Sequence, residues 1–156
     1  MNDVKTDSVT ASEMSTREHP HLGVLLERGR RLLADALVAR FQAEGYGDLR
    51  VAHGSVFAFL PPGGTRLTEL ARRARMTKQS MGELVRELET LGYVARHPDP
   101  ADRRAKVVVF TARGERANAL GIETIVDTER VWAEQVGVDA IHGLRHTLQQ
   151  ITRAGP

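Results

Sequence analysis

The chain has 156 residues, 41% hydrophobic and 4% aromatic, which suits one domain with a buried core. It contains no cysteine, which excludes disulfides, thiol catalysis, thiol redox sensing and cysteine zinc sites. The net charge is +2, but residues 66–106 hold ten Lys and Arg against six Asp and Glu. This local basic excess suits a surface that contacts phosphates, although a solvated face without a partner is the alternative.

The N-terminal stretch predicts neither export nor membrane insertion. Residues 1–18 are rich in Ser, Thr and acidic side chains without periodicity, so we expect a flexible arm. No run of about 18 apolar residues occurs anywhere in the chain, which favours a cytoplasmic protein without a membrane partner.

Apolar residues next recur at helical spacing. From Leu22 to Phe41 they lie three and four apart, which predicts an amphipathic helix ended by "EGYGD". A second helix is predicted over Val51–Leu60 and is ended by "PPGG". The stretch "TRLTELARRARM" predicts a short third helix with Thr68 as its N-cap. Its inward residues are Leu67, Leu70 and Ala71.

A longer fourth helix is predicted after Thr77, its expected N-cap, and Gly92 is expected to end it. Only a few residues separate it from the third helix, which predicts a helix-turn-helix. Its apolar stripe faces inward and consists of Met81, Leu84, Val85, Leu88 and Leu91. The outward face near its start carries Lys78, Gln79, Ser80, Gly82, Glu83 and Arg86.

Those outward residues have the chemistry of a DNA-contacting helix. Gln79 can bond an adenine through both groups of its amide, and Lys or Arg can reach guanine or phosphate. Gly82 would let the helix approach closely, and the helix N-terminus favours a phosphate. For a helix standing alone, an ordinary solvated face would be the simpler interpretation.

A β-hairpin is predicted directly after this helix. "YVARH" alternates with period two, "PDPADRR" is a turn rich in Pro and Asp, and "KVVVF" is prone to form a strand. A hairpin in this position is a wing. Arg103 and Arg104 would lie near its tip, where guanidinium groups can enter a minor groove. Asp99 and Asp102 are expected to brace these arginines, because a carboxylate facing phosphates would be repelled.

The C-terminal third predicts helices that pair with a second subunit. A long helix is expected from Ala112 to about Gln135, and a last helix after Gly137. The last helix has apolar residues at heptad a and d spacing: Ile141, Leu144, Leu148 and Ile151. Such a narrow stripe suits a partner helix, although packing within one chain is the alternative.

The stretch from "LTELARRARM" to "DPADRRAKVVVFTARG" closely resembles the DNA-binding core of the MarR family of transcriptional regulators. The match covers about a third of the chain and includes the helix-turn-helix, the "DPADRR" wing and a "T-x-x-G" that starts the next helix. Glu83 departs from the basic or small polar residue common there, so a base preference is not carried over. The candidate DNA-binding residues are Thr77, Lys78, Gln79, Ser80, Gly82, Arg86, Arg103 and Arg104.

The resemblance implies a mainly α fold with a small β-hairpin wing: a winged helix-turn-helix flanked by N- and C-terminal dimerisation helices. One domain is then expected over 19–156, with its core at about 49–111 and dimerisation helices at about 20–44 and 112–154. It also implies a homodimer that binds a pseudo-palindromic operator in double-stranded DNA. We expect a repressor released by a small aromatic or anionic ligand, with activation of transcription as the alternative.

Several other interpretations stay open at this point. The sequence has no Gly-rich phosphate loop, no G-x-S-x-G and no H-E-x-x-H, so we expect neither catalysis nor a cofactor. A winged helix used only for protein contacts is a second possibility. A metal-responsive regulator using His142 and His146 is a third, with His19 and His21 offering further nitrogens. Five residues either line an effector cavity or belong to the core: Tyr46, His53, Phe57, Phe59 and Trp132.

Overall fold

The structure is a computed structural model and describes residues 20–154, apart from the side chain of Arg103. The arm expected at 1–18 and His19 lie outside these residues. Helix α1 spans Leu22–Ala43, as its apolar period predicts. The contacts divide the chain into a unit ending at Asp35 and a larger unit from Ala36 onward. In the described part of the first unit, four leucines are exposed: Leu22, Leu25, Leu26 and Leu32.

The larger unit contains the predicted helix-turn-helix. A 3-10 turn at Val51–His53 leads into α2 (Gly54–Phe59), followed by α3 (Leu67–Arg73) and α4 (Lys78–Thr90). These helices and the strands that follow enclose a core. Its most buried side chains are at most 2% exposed: Val56, Leu70, Met81, Val85, Leu88, Tyr93, Val94, Val108 and Ala117. Burying each large apolar side chain contributes about 1.5 to 3 kcal/mol, so this cluster holds α4 in place.

Two local features shape the turn between α3 and α4: a left-handed residue and a helix cap. Arg75 has a φ of 51°, a left-handed conformation that side chains with a Cβ rarely adopt, and its amide bonds to the carbonyl of Arg72. Thr77 caps α4 as predicted, because its Oγ1 accepts a hydrogen bond from the Ser80 amide at 3.1 Å. The chain therefore reverses within a few residues and starts α4 in a defined direction.

Thr68 does not cap α3, so that prediction was wrong. The N-cap is Arg66, which has extended backbone angles, and Thr68 lies within the first turn of the helix. The reason is an unpredicted strand, β1 (Thr65–Arg66), which pairs with Val107 and Val108 and runs directly into the helix. A two-residue strand is too short to show a periodic pattern.

The wing is a hairpin of β2 (Val94–Asp99) and β3 (Asp102–Phe110) in an antiparallel sheet of order β1-β3-β2. The strands are longer than the sequence predicted. Pro98, Asp99 and Arg104 belong to strands, which leaves only Pro100 and Ala101 between them. Pro98 is tolerated because β2 is an edge strand, and the register shifts beside it.

Two further helices follow the wing, α5 (Ala112–Val136) and α6 (Val138–Ala154). Gly137, with a φ of 93°, separates them as predicted. No residue of α6 is buried, and Leu144 and Ile151 of its heptad stripe are about half exposed. Within residues 20–154, no helix is long and apolar enough to cross a membrane.

Candidate nucleic-acid interface

The face of α4 that points away from the core carries the predicted polar side chains. Lys78, Gln79, Ser80 and Arg86 are all exposed, as is Glu83. Thr77 and Ser80 bond to each other through the cap, since the Thr77 hydroxyl donates to Ser80 Oγ at 2.9 Å. Their hydroxyls are thereby fixed at the helix N-terminus, where the amides and the helix dipole favour an anion. The site brings together cationic and amide groups on one rigid helix.

Gly82 is the candidate that the structure places differently. It is buried, whereas the sequence pattern placed it on the outward face. A Cβ added at this position would lie 3.5 Å from Leu67 Cδ2, in ordinary van der Waals contact. The helical period puts Gly82 on the side of α4 away from the apolar stripe. The sequence could not show that α3 covers this side at Gly82. Gly82 therefore packs against Leu67 beneath the exposed residues.

A shallow groove of about 440 Å³ lies over this glycine, lined by Leu67, Lys78, Gln79, Gly82, Arg86 and Arg96. Arg96 was not predicted, because β2 could not be placed beside α4 from the sequence. Its Nε lies 3.5 Å from Glu89 Oε2 of α4. The groove therefore has three cationic side chains along its rim, which makes it attractive to phosphate oxygens.

The wing tip is held by Arg66 of β1, a residue that the sequence analysis missed. Its Nε donates to Asp99 Oδ2 at 2.6 Å, and its Nη2 lies 3.6 Å from Asp102 Oδ2. Both carboxylates therefore face Arg66, and neither pairs with the described side chain of Arg104, contrary to the expectation that they brace it. For Arg103, whose side chain is not described, that expectation stays a prediction. The Ala101 amide and then Arg66 hold the pKa of Asp99 below its usual range. The exposed Arg104 follows directly, with its amide bonded to Asp102 Oδ1.

His53 ties the start of α2 to α4. Its side chain is buried, and its Nδ1 accepts a hydrogen bond from the Arg50 amide at 3.1 Å, in the manner of a capping box. Its Nε2 lies 3.0 Å from Glu87 Oε2 of α4, so the neutral ring donates to the carboxylate. Burial, followed by the nearby Arg50 charge, lowers the pKa of His53.

Lowering the pH is expected to weaken the fold through His53. Because its folded pKa lies below the ordinary value of 6.5, its contribution is fully present above pH 6.5 and is lost as the pH falls through the folded pKa. We expect Tm to fall between about pH 7.5 and 5.5, and His53→Gln to flatten this dependence. The exposed His97 supplies the control His97→Gln. An unchanged pH dependence in His53→Gln would contradict this prediction.

Three of the five residues considered for an effector cavity belong to the core or pack against it. Phe57 stacks on Phe110 at 5.3 Å between ring centroids, and Tyr46 lies 6.2 Å from the buried Tyr93. Phe59 is about two-fifths exposed and Trp132 is half-buried. The core interpretation is therefore confirmed for Tyr46, His53 and Phe57.

The two histidines of the metal hypothesis are exposed on α6. In the described part of the chain, no group of three or more His, Asp or Glu side chains is arranged to hold a metal ion. A pair of histidines alone supplies two of the four ligands of a tetrahedral zinc site.

A helix-turn-helix followed by a hairpin, with cations on the second helix and beside the wing, defines a winged helix-turn-helix protein. A sequence profile described as MarR family matches residues 49–105. The transcriptional regulator HosA of Escherichia coli O111:H- is 33% identical over 101 residues, which cover 64% of this chain and 75% of that protein. The chain belongs to the MarR family of transcriptional regulators.

Solved structures agree with this assignment. CouR from Rhodococcus jostii RHA1, bound to p-coumaroyl-CoA, is 27% identical with a TM-score of 0.66, covering 83% of this chain and 90% of that chain. The transcriptional repressor CouR bound to a 23-mer DNA duplex is 23% identical with a TM-score of 0.68, covering 84% and 92%. At 23% identity, the likeness to the DNA-bound CouR concerns the fold alone.

Proposed function

We propose that two copies of this chain form a repressor that binds a pseudo-palindromic operator and leaves it when a small ligand binds. The observation that carries the proposal is the exposed face of α4, where Lys78, Gln79 and Arg86 project from a helix capped by Thr77. In this arrangement α4 occupies the major groove, and Arg104 approaches the adjacent minor groove from the wing.

Dimerisation is supported by apolar side chains that water would otherwise surround. Exposed Leu, Ile and Val residues occur on α1, α5 and α6: Leu22, Leu25, Leu26, Leu32, Ile122, Val126, Val131, Val136, Val138, Leu144 and Ile151. Exposed apolar side chains in this number on helices are typical of an interface with another subunit. A two-fold pair would place the two α4 helices on half-sites about 34 Å apart, one turn of DNA.

The effector is proposed to be a small aromatic or anionic molecule. The support is the relative CouR, whose structure contains p-coumaroyl-CoA, an anion with an aromatic acyl group. Ligand binding releases DNA if the ligand favours a conformation in which the two α4 helices no longer match the half-sites.

The proposal is tested by selecting binding sites from a pool of randomised DNA duplexes. The recovered sequences should contain an inverted repeat whose half-sites are centred about one helical turn apart. Enrichment of no sequence, or of a single half-site without its repeat, would contradict the proposed operator binding by a dimer.

Replacing Gln79 by Ala should relax the preference at one or two operator positions, at a cost of about 1 to 3 kcal/mol on the best site. The reason is that the Gln79 amide can accept from N6 and donate to N7 of one adenine, a pairing that alanine cannot make. Dissociation constants for operators with single base changes measure the effect. An equal loss on all sequences would instead make Gln79 a contact to the DNA backbone.

A further inference from the structure

Glu83 differs from the other acidic residues of α4. Glu87 forms an ion pair with Arg50 and contacts His53, and Glu89 pairs with Arg96. Among the described side chains, no lysine or arginine forms such a pair with Glu83, although its side chain is exposed on the outward face. An uncompensated carboxylate on a surface that approaches phosphates lowers the affinity for DNA in general.

Within α4, Glu83 contacts Gln79, which lies one turn earlier. Gln79 Nε2 donates to Glu83 Oε1 at 3.3 Å. This bond uses one of the two amide hydrogens of Gln79 and one of the two carboxylate oxygens of Glu83. Gln79 keeps one N–H and its carbonyl for an adenine, and Glu83 keeps Oε2 as an acceptor. The pair therefore presents two adjacent groups to the neighbouring base pairs.

An acceptor on this face favours particular bases. In the major groove, only the N4 amino group of cytosine and the N6 amino group of adenine donate hydrogen bonds. Adenine presents its N7 acceptor beside N6, and that lone pair repels a carboxylate. Cytosine presents no such acceptor, so a carboxylate prefers cytosine.

We propose that Glu83 is a specificity-determining residue, whose free Oε2 accepts a hydrogen bond from cytosine N4 next to the base contacted by Gln79. The inference rests on the proposed function, since it takes α4 to lie in the major groove. The charge of Glu83 weakens binding to DNA with any base at that position. The hydrogen bond from cytosine N4 offsets this loss, so only sites with cytosine there escape it.

The test compares the DNA sequences selected from a randomised duplex pool by the wild-type protein, Glu83→Gln and Glu83→Ala. Glu83→Gln keeps the shape of the side chain and removes its charge. Glu123→Gln, a change of equal charge at an exposed position of α5, is the control. We expect the wild type and the control to select a C·G pair beside the Gln79 position. Discrimination there should fall about tenfold in both Glu83 variants, with the other positions unchanged.

Glu83→Gln should also bind random duplexes several-fold more tightly than the wild type, because one repulsive charge per subunit is gone. Unchanged discrimination at every position in both Glu83 variants would overturn the inference while leaving the proposed function intact. A uniform tightening on all sequences would overturn it in the same way and leave Glu83 as a purely electrostatic residue. Failure of the wild type to enrich any sequence would instead overturn the proposed function, and this inference with it.

Discussion

Replacing both Arg103 and Arg104 by alanine is expected to weaken binding to operator and random DNA alike. Contacts of the wing to phosphates and to the minor groove contribute affinity with little sequence information. A dimer would lose four such contacts, each worth about 0.5 to 1 kcal/mol, which corresponds to a loss on the order of 100-fold. The slope of log K against log salt should become shallower by about 4.

The matched control removes two arginines elsewhere. Arg116 and Arg153 are exposed on α5 and α6, so the double alanine variant loses the same charge away from the wing. Fluorescence anisotropy of labelled duplexes at several salt concentrations measures both variants. If the variant without Arg103 and Arg104 kept the affinity and the salt slope of the wild type, the prediction that the wing contacts DNA would be contradicted.

Gly114→Ala should have the largest effect on stability. Gly114 donates its amide to Thr111 Oγ1 at the start of α5, and it lies directly against the backbone carbonyl of Tyr93. An added Cβ would collide with that oxygen and lie only 3.0 Å from Phe110 Cδ1. Neither backbone can move without shifting α5 or the wing, so we expect a loss of about 3 kcal/mol or more in the free energy of unfolding.

Gly143→Ala is the matched control, because nothing lies within 4 Å of a Cβ added at this position of α6. This variant should gain about 0.5 to 1 kcal/mol, since alanine is the better helix former. Urea denaturation measures both changes. If the wild type and Gly114→Ala had equal free energies of unfolding, the prediction that α5 packs too closely on Tyr93 for a Cβ would be contradicted.

The predictions that the structure confirms depend on local signals. The inward positions of α4 follow from apolar residues three and four apart, and the cap at Thr77 follows from a side chain that accepts an amide hydrogen. The break at Gly137 follows from the conformational freedom of glycine. Each of these features is decided by neighbours within about one helical turn.

The errors and omissions arise where distant segments meet. Asp99 faces Arg66, 33 residues earlier, and His53 contacts Glu87, 34 residues later, so no local pattern identifies these partners. Gly82 was expected to be exposed, but it is buried because Leu67 of another helix lies against it. Arg96 joins the groove only because β2 lies beside α4. The sequence thus identified the helices and the charged wing, but not the contacts that position them.

The most direct test of dimeric DNA binding measures the protein's mass in solution and its affinity for duplex DNA as salt is raised. Four cations per subunit, Lys78, Arg86, Arg103 and Arg104, predict that log K falls against log salt with a slope of about −7 for a dimer. We expect a dimer at micromolar concentration and a slope of this size. A monomer, or an affinity that does not change with salt, would contradict the account.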